Sequence, residues 1–148
     1  MRIAVGSDHA GFAMKESLAQ RLRDLGHDVV DCGTYSPDRV DYPDFGAAVG
    51  RAVASGGAEG GVCVCGSGIG IAMAANKIAG VRAATVWDET SARLAREHND
   101  ANVICLGKRL VGPEVAAAAL QAWLDADFEG GRHAARVAKI DGLGGNSD

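Results

Sequence analysis

Short apolar runs rich in β-branched residues alternate along this chain with longer segments in which apolar residues recur at helical spacing. The short runs predict five strands, near residues 2–7, 28–31, 61–65, 81–87 and 103–106. The segments that separate them predict four helices, near residues 13–25, 45–55, 69–77 and 89–97. Two further helical patterns follow the last strand, at residues 113–126 and about 131–140.

This alternation predicts an α/β fold, a three-layer α/β/α sandwich in which a five-stranded parallel sheet lies between two layers of helices. The last helical segment is then an extra C-terminal helix. The longest irregular stretch is 33–44, and a loop of that length is either part of a site or a plain surface connection. Residues 142–148 are expected to form a disordered tail.

Composition limits the number of domains and the class of ligand. At 148 residues and 47% hydrophobic content, the chain is long enough for one domain with a full core and too short for two, so we assign residues 1–148 to one domain. The formal net charge of -4 argues against binding to nucleic acid or to a membrane surface. Any phosphate site must therefore be built by local side chains.

The cysteines indicate the compartment. Cys32, Cys63, Cys65 and Cys105 form no C-x-x-C pair and have no histidine at zinc-finger spacing, which argues against a zinc ribbon or a redox motif. Reduced thiols are typical of cytoplasmic proteins. The first residues lack a signal-peptide pattern, and no apolar run approaches the length of a membrane span. No metal or cofactor motif is present in the sequence, so we expect neither.

The topology of such a sheet predicts where a ligand binds. Ligands of open parallel sheets lie beyond the carboxyl ends of the strands where the strand order reverses, usually between the first and third strands. This rule selects Asp8 and His9 after the first strand, and Cys65, Gly66 and Ser67 after the third. We expect these two segments to face each other across a crevice.

The most informative segment is the third strand exit, Cys65-Gly66-Ser67-Gly68-Ile69-Gly70. A glycine-rich turn that begins a helix exposes N–H groups and partial positive charge, which suit an anion and lower a cysteine pKa. The spacing fits neither the dinucleotide fingerprint nor a P-loop. The N–H groups from Gly66 to Gly70 are instead expected to form an oxyanion hole beside the Ser67 hydroxyl. The alternative is that Cys65 is only a small buried apolar residue.

Other candidate groups lie at helix ends. Asp8 and His9 supply an acid/base pair, or one of them merely caps the following helix. His98 and Asn99 end the fourth helix, where the alternative is a C-cap with Asn99 in a left-handed conformation.

The last set of candidates consists of arginines. Arg132 and Arg136 stand four residues apart, so on a helix they share a face and can clamp a phosphate, unless they are only solvated surface charge. Arg109 follows the fifth strand. A thiol base, an oxyanion hole, a second acid/base set and phosphate-binding arginines together predict a carbon-acid site. That set fits an aldose–ketose isomerisation through an enediolate.

At this point the chain resembles the ribose-5-phosphate isomerase B family, which also includes allose-6-phosphate and galactose-6-phosphate isomerases. The resemblance covers nearly the whole chain. The motifs that carry it are Gly6-Ser7-Asp8-His9-Ala10-Gly11-Phe12, Asp41-Tyr42-Pro43, Cys65-Gly66-Ser67-Gly68-Ile69-Gly70 with Ala74-Ala75-Asn76-Lys77, His98-Asn99-Asp100 and Glu129-Gly130-Gly131-Arg132-His133.

The resemblance implies a metal-independent enzyme with a Rossmann-like fold that interconverts D-ribose 5-phosphate and D-ribulose 5-phosphate. Cys65 would be the base that moves the proton between C1 and C2, Ser67 would assist proton traffic between the oxygens, and Asp8 and His98 would open the furanose ring. The substrate-binding residues would be Tyr42 and Asn99 for the sugar hydroxyls, and His9, Arg109, Arg132 and Arg136 for the phosphate.

The resemblance also implies a homodimer or homotetramer whose active site is shared between subunits. His98, Asn99 and Arg109 would then reach the pocket of the other subunit, and a lone monomer would be inactive.

Two positions depart from common patterns in the family. Many members carry threonine at the position of Ser67, but the hydroxyl is retained here. Another branch lacks the cysteine and uses a glutamate at the position of Ile71, which cannot accept a proton, so the chain is expected to belong to the cysteine branch. Two alternatives stay open: an isomerase of allose or galactose 6-phosphate, and a non-catalytic sugar-phosphate or nucleotide binding module.

Overall fold

The computed structural model describes residues 1–143. Its five strands form one sheet in the order β2-β1-β3-β5-β4, and every pair of neighbours is parallel. The strands are β1 Arg2–Ser7, β2 Asp28–Asp31, β3 Gly60–Cys65, β4 Ala83–Thr85 and β5 Val103–Gly107. The helices of this described part are α1 Phe12–Asp24, α2 Tyr42–Ala54, α3 Ile69–Asn76, α4 Glu89–Asn99, α5 Pro113–Asp125 and α6 Arg132–Leu143.

The sheet is buried on both faces, which confirms the predicted three-layer α/β/α sandwich. Every residue of the central strands β3 and β5 is buried, as expected for a parallel sheet covered by helices. On one face, Leu18 and Leu22 of α1 pack in one core cluster with Leu120 and Trp123 of α5 and with residues of α4. On the other face, a second cluster joins α2 and α3 to the sheet.

The β4 strand is shorter than the predicted run of residues 81–87. Side chains take the backbone donors on either side of it: Arg82 N–H donates to Asn102 Oδ1 at 2.7 Å, and Trp87 N–H donates to Ser91 Oγ at 2.9 Å. The paired register covers residues 83–85, and Val86 N–H makes one further hydrogen bond to the Cys105 carbonyl, at 2.9 Å. Beyond these residues the side-chain bonds take the backbone donors.

The predicted loop 33–44 is also shorter, because α2 already begins at Tyr42. Pro43 lies in the first turn of that helix, where a missing N–H costs nothing. The sequence pattern that suggested a turn is therefore the start of a helix, and it places the Tyr42 ring beside Gly70 in the first turn of α3.

The extra C-terminal helix is confirmed as α6, which packs on α4. Its end contradicts part of the predicted tail, because Gly142 and Leu143 are helical. An ion pair between Arg82 and Asp141, with Nη1 3.0 Å from Oδ1, ties the last turn to the sheet edge. The rest of the predicted tail, residues 144–148, lies outside the described residues. None of the helices described is long and apolar enough to cross a membrane.

Candidate active site

The reversal of strand order falls between β1 and β3, and a cavity of about 340 Å³ opens beside their carboxyl ends. The pairing of Ser7 with Val64 brings the two strand exits side by side. The cavity is lined by Asp8, Tyr42, Cys65, Gly66, Ser67, Gly70, Arg109 and Leu110. The prediction that the exits of the first and third strands face one crevice is confirmed for Asp8, Cys65, Gly66 and Ser67.

Cys65 is the last residue of β3, and it lines this cavity. The residue is 4% exposed, and the backbone N–H of Gly68 donates to its Sγ at 3.1 Å. Gly68 is the N-cap of α3 with φ of 75°, and a β-carbon there would lie 2.7 Å from the Leu106 carbonyl carbon. Only glycine fits this turn, and the turn aims a backbone N–H donor at the sulfur.

The predicted oxyanion hole must be corrected in two of its donors. The N–H of Gly68 is directed to Cys65 Sγ, and the N–H of Ile69 donates to Ser67 Oγ at 3.2 Å. Both amides therefore serve side chains of their own loop. Gly66, Ser67 and Gly70 line the cavity and are the positions left for stabilising an anionic oxygen.

Asp8 is both a cap and a cavity residue, so the two interpretations of it are compatible. It is 7% exposed, and its Oδ1 accepts a hydrogen bond from Gly11 N–H at 2.9 Å before α1 begins. The other candidate at this strand exit, His9, does not line the cavity. Its Nδ1 lies 3.2 Å from the backbone nitrogen of Val40, which holds the ring against the loop between β2 and α2.

Tyr42 and Arg109 line the cavity where glycines leave room for them. A β-carbon at Gly70 would lie 2.5 Å from the Tyr42 ring, and one at Gly66 would lie 2.7 Å from Arg109 Nη1. The N–H of Arg109 donates to the Gly66 carbonyl at 2.9 Å. Arg109 thus lines the cavity of its own protomer, whereas the family resemblance implied the pocket of the other subunit.

The remaining predicted residues lie away from this cavity in a single protomer. Asn99 lines a larger groove of about 440 Å³ between β4 and α6, which lacks the thiol and the glycine-rich loop. Arg132 and Arg136 are exposed on α6. The cavity that Cys65 lines is not lined by His98, Ile69 or Gly68. The smaller cavity is the candidate active site because it is the one that Cys65 lines.

The end of α4 differs from the predicted cap. Asp100, not Asn99, adopts the left-handed conformation, with φ of 47°. The Asp100 carboxylate is held by two guanidinium groups, that of Arg96 at 3.0 Å and that of Arg82 at 3.4 Å. These ion pairs stabilise an unfavourable backbone conformation at Asp100. Asn99 is exposed at the end of the helix.

His98 belongs to a cluster that the sequence did not predict. Its ring stacks on that of His133 with centroids 4.4 Å apart, and Glu129 Oε1 lies 3.8 Å from Nε2 of each histidine. Burial lowers the pKa of His133, the His98 ring and the charges of Arg132 and Arg136 lower it further, and Glu129 opposes them. The only sequence signal was the spacing of Glu129 and His133, four residues apart.

A parallel sheet with a thiol and a glycine-rich loop at the reversal of strand order defines an α/β protein that binds a small ligand beyond its strand ends. The family model described as Ribose/Galactose Isomerase matches residues 3–140, and the chain belongs to that family.

The relatives support the same assignment over nearly the whole length. The chain is 48% identical to Escherichia coli ribose-5-phosphate isomerase B over 139 residues, which are 94% of this chain and 93% of the relative. The structure of Clostridium thermocellum ribose-5-phosphate isomerase B matches with a TM-score of 0.94 at 49% identity, covering 95% of each chain. That of the Mycoplasma genitalium enzyme, with bound ribulose-5-phosphate, matches at 0.92 and 41% identity, covering 95% of this chain and 93% of the other.

Proposed function

We propose that this protein interconverts D-ribose 5-phosphate and D-ribulose 5-phosphate through an enediolate, with Cys65 as the base. The observation that carries the proposal is the Gly68 N–H donated to Cys65 Sγ at 3.1 Å, in a cavity that also holds Asp8, Ser67 and Arg109. The names of its relatives, and the ribulose-5-phosphate bound to the Mycoplasma genitalium structure, support this choice of substrate.

The reaction begins with opening of the furanose ring. Asp8 accepts the proton of the anomeric hydroxyl while His98 donates a proton to the ring oxygen, and the C1 aldehyde forms as the C1–O bond to the ring breaks. The Cys65 thiolate then takes the proton from C2, and the electron pair moves to O1 to give the enediolate. The backbone at Gly66, Ser67 and Gly70 supports the negative charge. The thiol finally returns the proton to C1, while Ser67 carries a proton from O2 to O1.

The substrate is held at its charged and polar ends by different groups. Arg109 binds the phosphate at the cavity, and Arg132 and Arg136 add guanidinium groups, which bind phosphate through paired N–H donors. His9, beside Asp8, adds an imidazole to that site. Tyr42 and Asn99 contact the sugar hydroxyls.

The active site is shared between two subunits of a homodimer or homotetramer. Support comes from the position of His98, Asn99, Arg132 and Arg136, none of which lines the cavity of its own protomer. A symmetric dimer can supply them from the partner, since a two-fold interface places the same patch on both sides. The chain then acts as one catalytic domain, and its free thiols favour the cytoplasm.

A second candidate substrate is a six-carbon sugar phosphate, because the matching family is described as Ribose/Galactose Isomerase. The chemistry is unchanged in that case, and only the space around the sugar differs. The ratio of kcat/KM values for five-carbon and six-carbon phosphates decides between the two.

The direct test is a coupled assay of ribulose 5-phosphate formation from ribose 5-phosphate, with protein purified and assayed in excess chelator. We expect full turnover under these conditions. If the protein binds ribose 5-phosphate but does not isomerise any sugar phosphate, with or without added metal, it is a binding module and the proposed function is wrong.

A further inference from the structure

Three metal-binding side chains meet where α4 ends and α6 begins. One ligand atom from each of His98, Glu129 and His133 lies within 4.8 Å of the other two. Glu129 Oε1 is 3.8 Å from Nε2 of His98 and 3.8 Å from Nε2 of His133. These separations are too long for hydrogen bonds and leave a gap between the three atoms.

An unsatisfied buried nitrogen of His133 is an independent indication that this gap binds a ligand. Its side chain is 9% exposed, and its Nε2 has no hydrogen-bond partner among residues 1–143. Buried polar atoms are rarely left unsatisfied, and each case calls for a specific explanation. This Nε2 atom lies 3.8 Å from Glu129 Oε1, so a cation between the two atoms would be a partner for both.

The distances suit an ion of the size of zinc. Zinc binds imidazole nitrogen at about 2.0–2.1 Å and carboxylate oxygen at about 2.0–2.2 Å, so tetrahedral ligands lie roughly 3.4 Å apart. The observed 3.8 Å separations exceed this by a few tenths of an ångström. His98 must also turn out of its stack on His133. The side chains of His98 and Glu129 are 37% and 53% exposed, and are therefore able to move, whereas His133 is fixed.

We propose that His98, Glu129 and His133 form a binding site for a divalent transition-metal ion of the zinc class. Two imidazoles and one carboxylate favour such an ion over magnesium or calcium, which prefer oxygen ligands. The fourth position is left to water. Arg132 and Arg136 carry positive charge near His133 and weaken the affinity.

Binding of this ion inhibits the isomerase. An ion bound to Nε2 of His98 holds the ring beside Glu129 and His133, so His98 can no longer reach the ring oxygen of the sugar. The inhibition rests on the proposed function, but the binding does not. The reaction itself needs no metal, and the ion acts against it.

The experiment measures binding first, on chelator-treated protein. Cobalt titration followed by its visible absorption reports tetrahedral coordination, and zinc calorimetry gives stoichiometry and affinity. We expect one ion per chain, and at least about tenfold weaker binding in Glu129→Gln and in His133→Gln. Asp127→Asn is the matched control, an exposed acid on the same segment, and should bind like the wild type. The Cys65→Ala variant should also keep the ion, which excludes the catalytic thiol as its ligand.

The second arm measures zinc inhibition of ribulose 5-phosphate formation and its reversal by chelator. Inhibition of Glu129→Gln is measured relative to the activity of that variant without metal. Its inhibition constant for zinc should exceed that of the wild type by the same factor as its dissociation constant for zinc. Equal binding by Glu129→Gln and Asp127→Asn, or loss of the ion in Cys65→Ala, overturns the metal site. Binding without inhibition overturns the inhibitory role only, and absence of turnover in metal-free protein overturns the proposed function instead.

Discussion

The guanidinium group of Arg109 lies over Gly66, so close that a β-carbon on Gly66 would come within 2.7 Å of Nη1. The same two residues are joined by a backbone hydrogen bond of 2.9 Å from Arg109 N–H to the Gly66 carbonyl. The absence of a side chain at position 66 therefore sets where the positive charge lies in the cavity.

Substitution Gly66→Ala should weaken substrate binding without unfolding the protein. The new methyl group meets the end of a flexible side chain, so Arg109 moves away and its contact with the phosphate is lost. A hydrogen bond to a charged group is worth about 1.5–3 kcal/mol, so KM should rise roughly tenfold or more. Steady-state kinetics on ribose 5-phosphate measure this change.

The matched control for that variant is Gly112→Ala. A β-carbon there meets only a Glu114 carboxylate oxygen, at 3.8 Å, so kinetics should stay close to those of the wild type. Arg109→Ala should reproduce the KM of Gly66→Ala. If Gly66→Ala binds substrate normally while Arg109→Ala does not, the coupling between the two residues is wrong.

Removal of the proposed base should lower turnover strongly and spare binding. A positioned general base contributes roughly 10²–10⁴-fold, so kcat of Cys65→Ala should fall by about that factor. Isothermal titration with ribose 5-phosphate should give a dissociation constant near that of the wild type. Cys32→Ala is the control, because burial and the neighbouring Cys63 raise the pKa of that thiol and keep it protonated. Retained turnover in Cys65→Ala would contradict the assignment of the base.

Alkylation provides a separate measurement on the wild-type protein. Iodoacetamide should modify Cys65 first, since this is the cysteine that lines the cavity, and saturating ribose 5-phosphate should protect it. Cys105 should stay unmodified, because its interaction with Cys63 and its burial raise the pKa of the thiol. Peptide mass spectrometry identifies the modified residue, and preferential labelling of Cys32 would oppose this prediction.

The order of elements and the main site could be predicted from the sequence because both follow from local patterns and one topological rule. Strands that are buried on both faces, such as β3 and β5, appear in the sequence as short continuous apolar runs, which made them easy to predict. The position of Cys65 beside Asp8 then follows from the reversal of strand order. The start of α2 was missed because proline in a first helical turn has the same sequence signature as a loop.

The rest of the site depends on tertiary packing that no local pattern encodes. The stack of His98 on His133 exists only because α6 packs on α4. The sequence shows that Arg109 follows β5 but not that its side chain folds back over Gly66 of the same chain. The hydrogen bonds that occupy the amides of Gly68 and Ile69 are likewise a matter of loop geometry.

Lys15 should control the stability of the first strand exit. Its fully buried ammonium donates to Asp31 Oδ1 at 2.8 Å and to the Thr34 carbonyl at 2.7 Å. The N–H of Thr34 in turn donates to the Ser7 carbonyl at 2.8 Å, next to Asp8. Because removal of one partner leaves a poorly compensated charge, Lys15→Met should lower the free energy of unfolding by about 3 kcal/mol. Urea denaturation measures this change.

Glu16 offers a matched control for Lys15. Its carboxylate also lies 3.0 Å from the Lys15 ammonium, but its side chain is 51% exposed. Glu16→Gln should therefore change the unfolding free energy by less than about 1 kcal/mol. Equal losses in Glu16→Gln and Lys15→Met would show that the pairing with Asp31 is not the cause. A fall in kcat is expected only for Lys15→Met, because that change loosens the backbone beside Asp8.

The shared active site can be tested by mixing two inactive variants. If each site takes Cys65 from one subunit and His98 from its partner, a dimer of one Cys65→Ala chain with one His98→Ala chain has one intact site and one doubly defective site. Random exchange of equal amounts should then restore roughly a quarter of the wild-type activity. Both variants unmixed, and a mixture of Cys65→Ala with a Cys65→Ala/His98→Ala double variant, should stay inactive. Mass spectrometry must show that subunits have exchanged, and inactivity of a proven heterodimer places both residues in the site of one subunit.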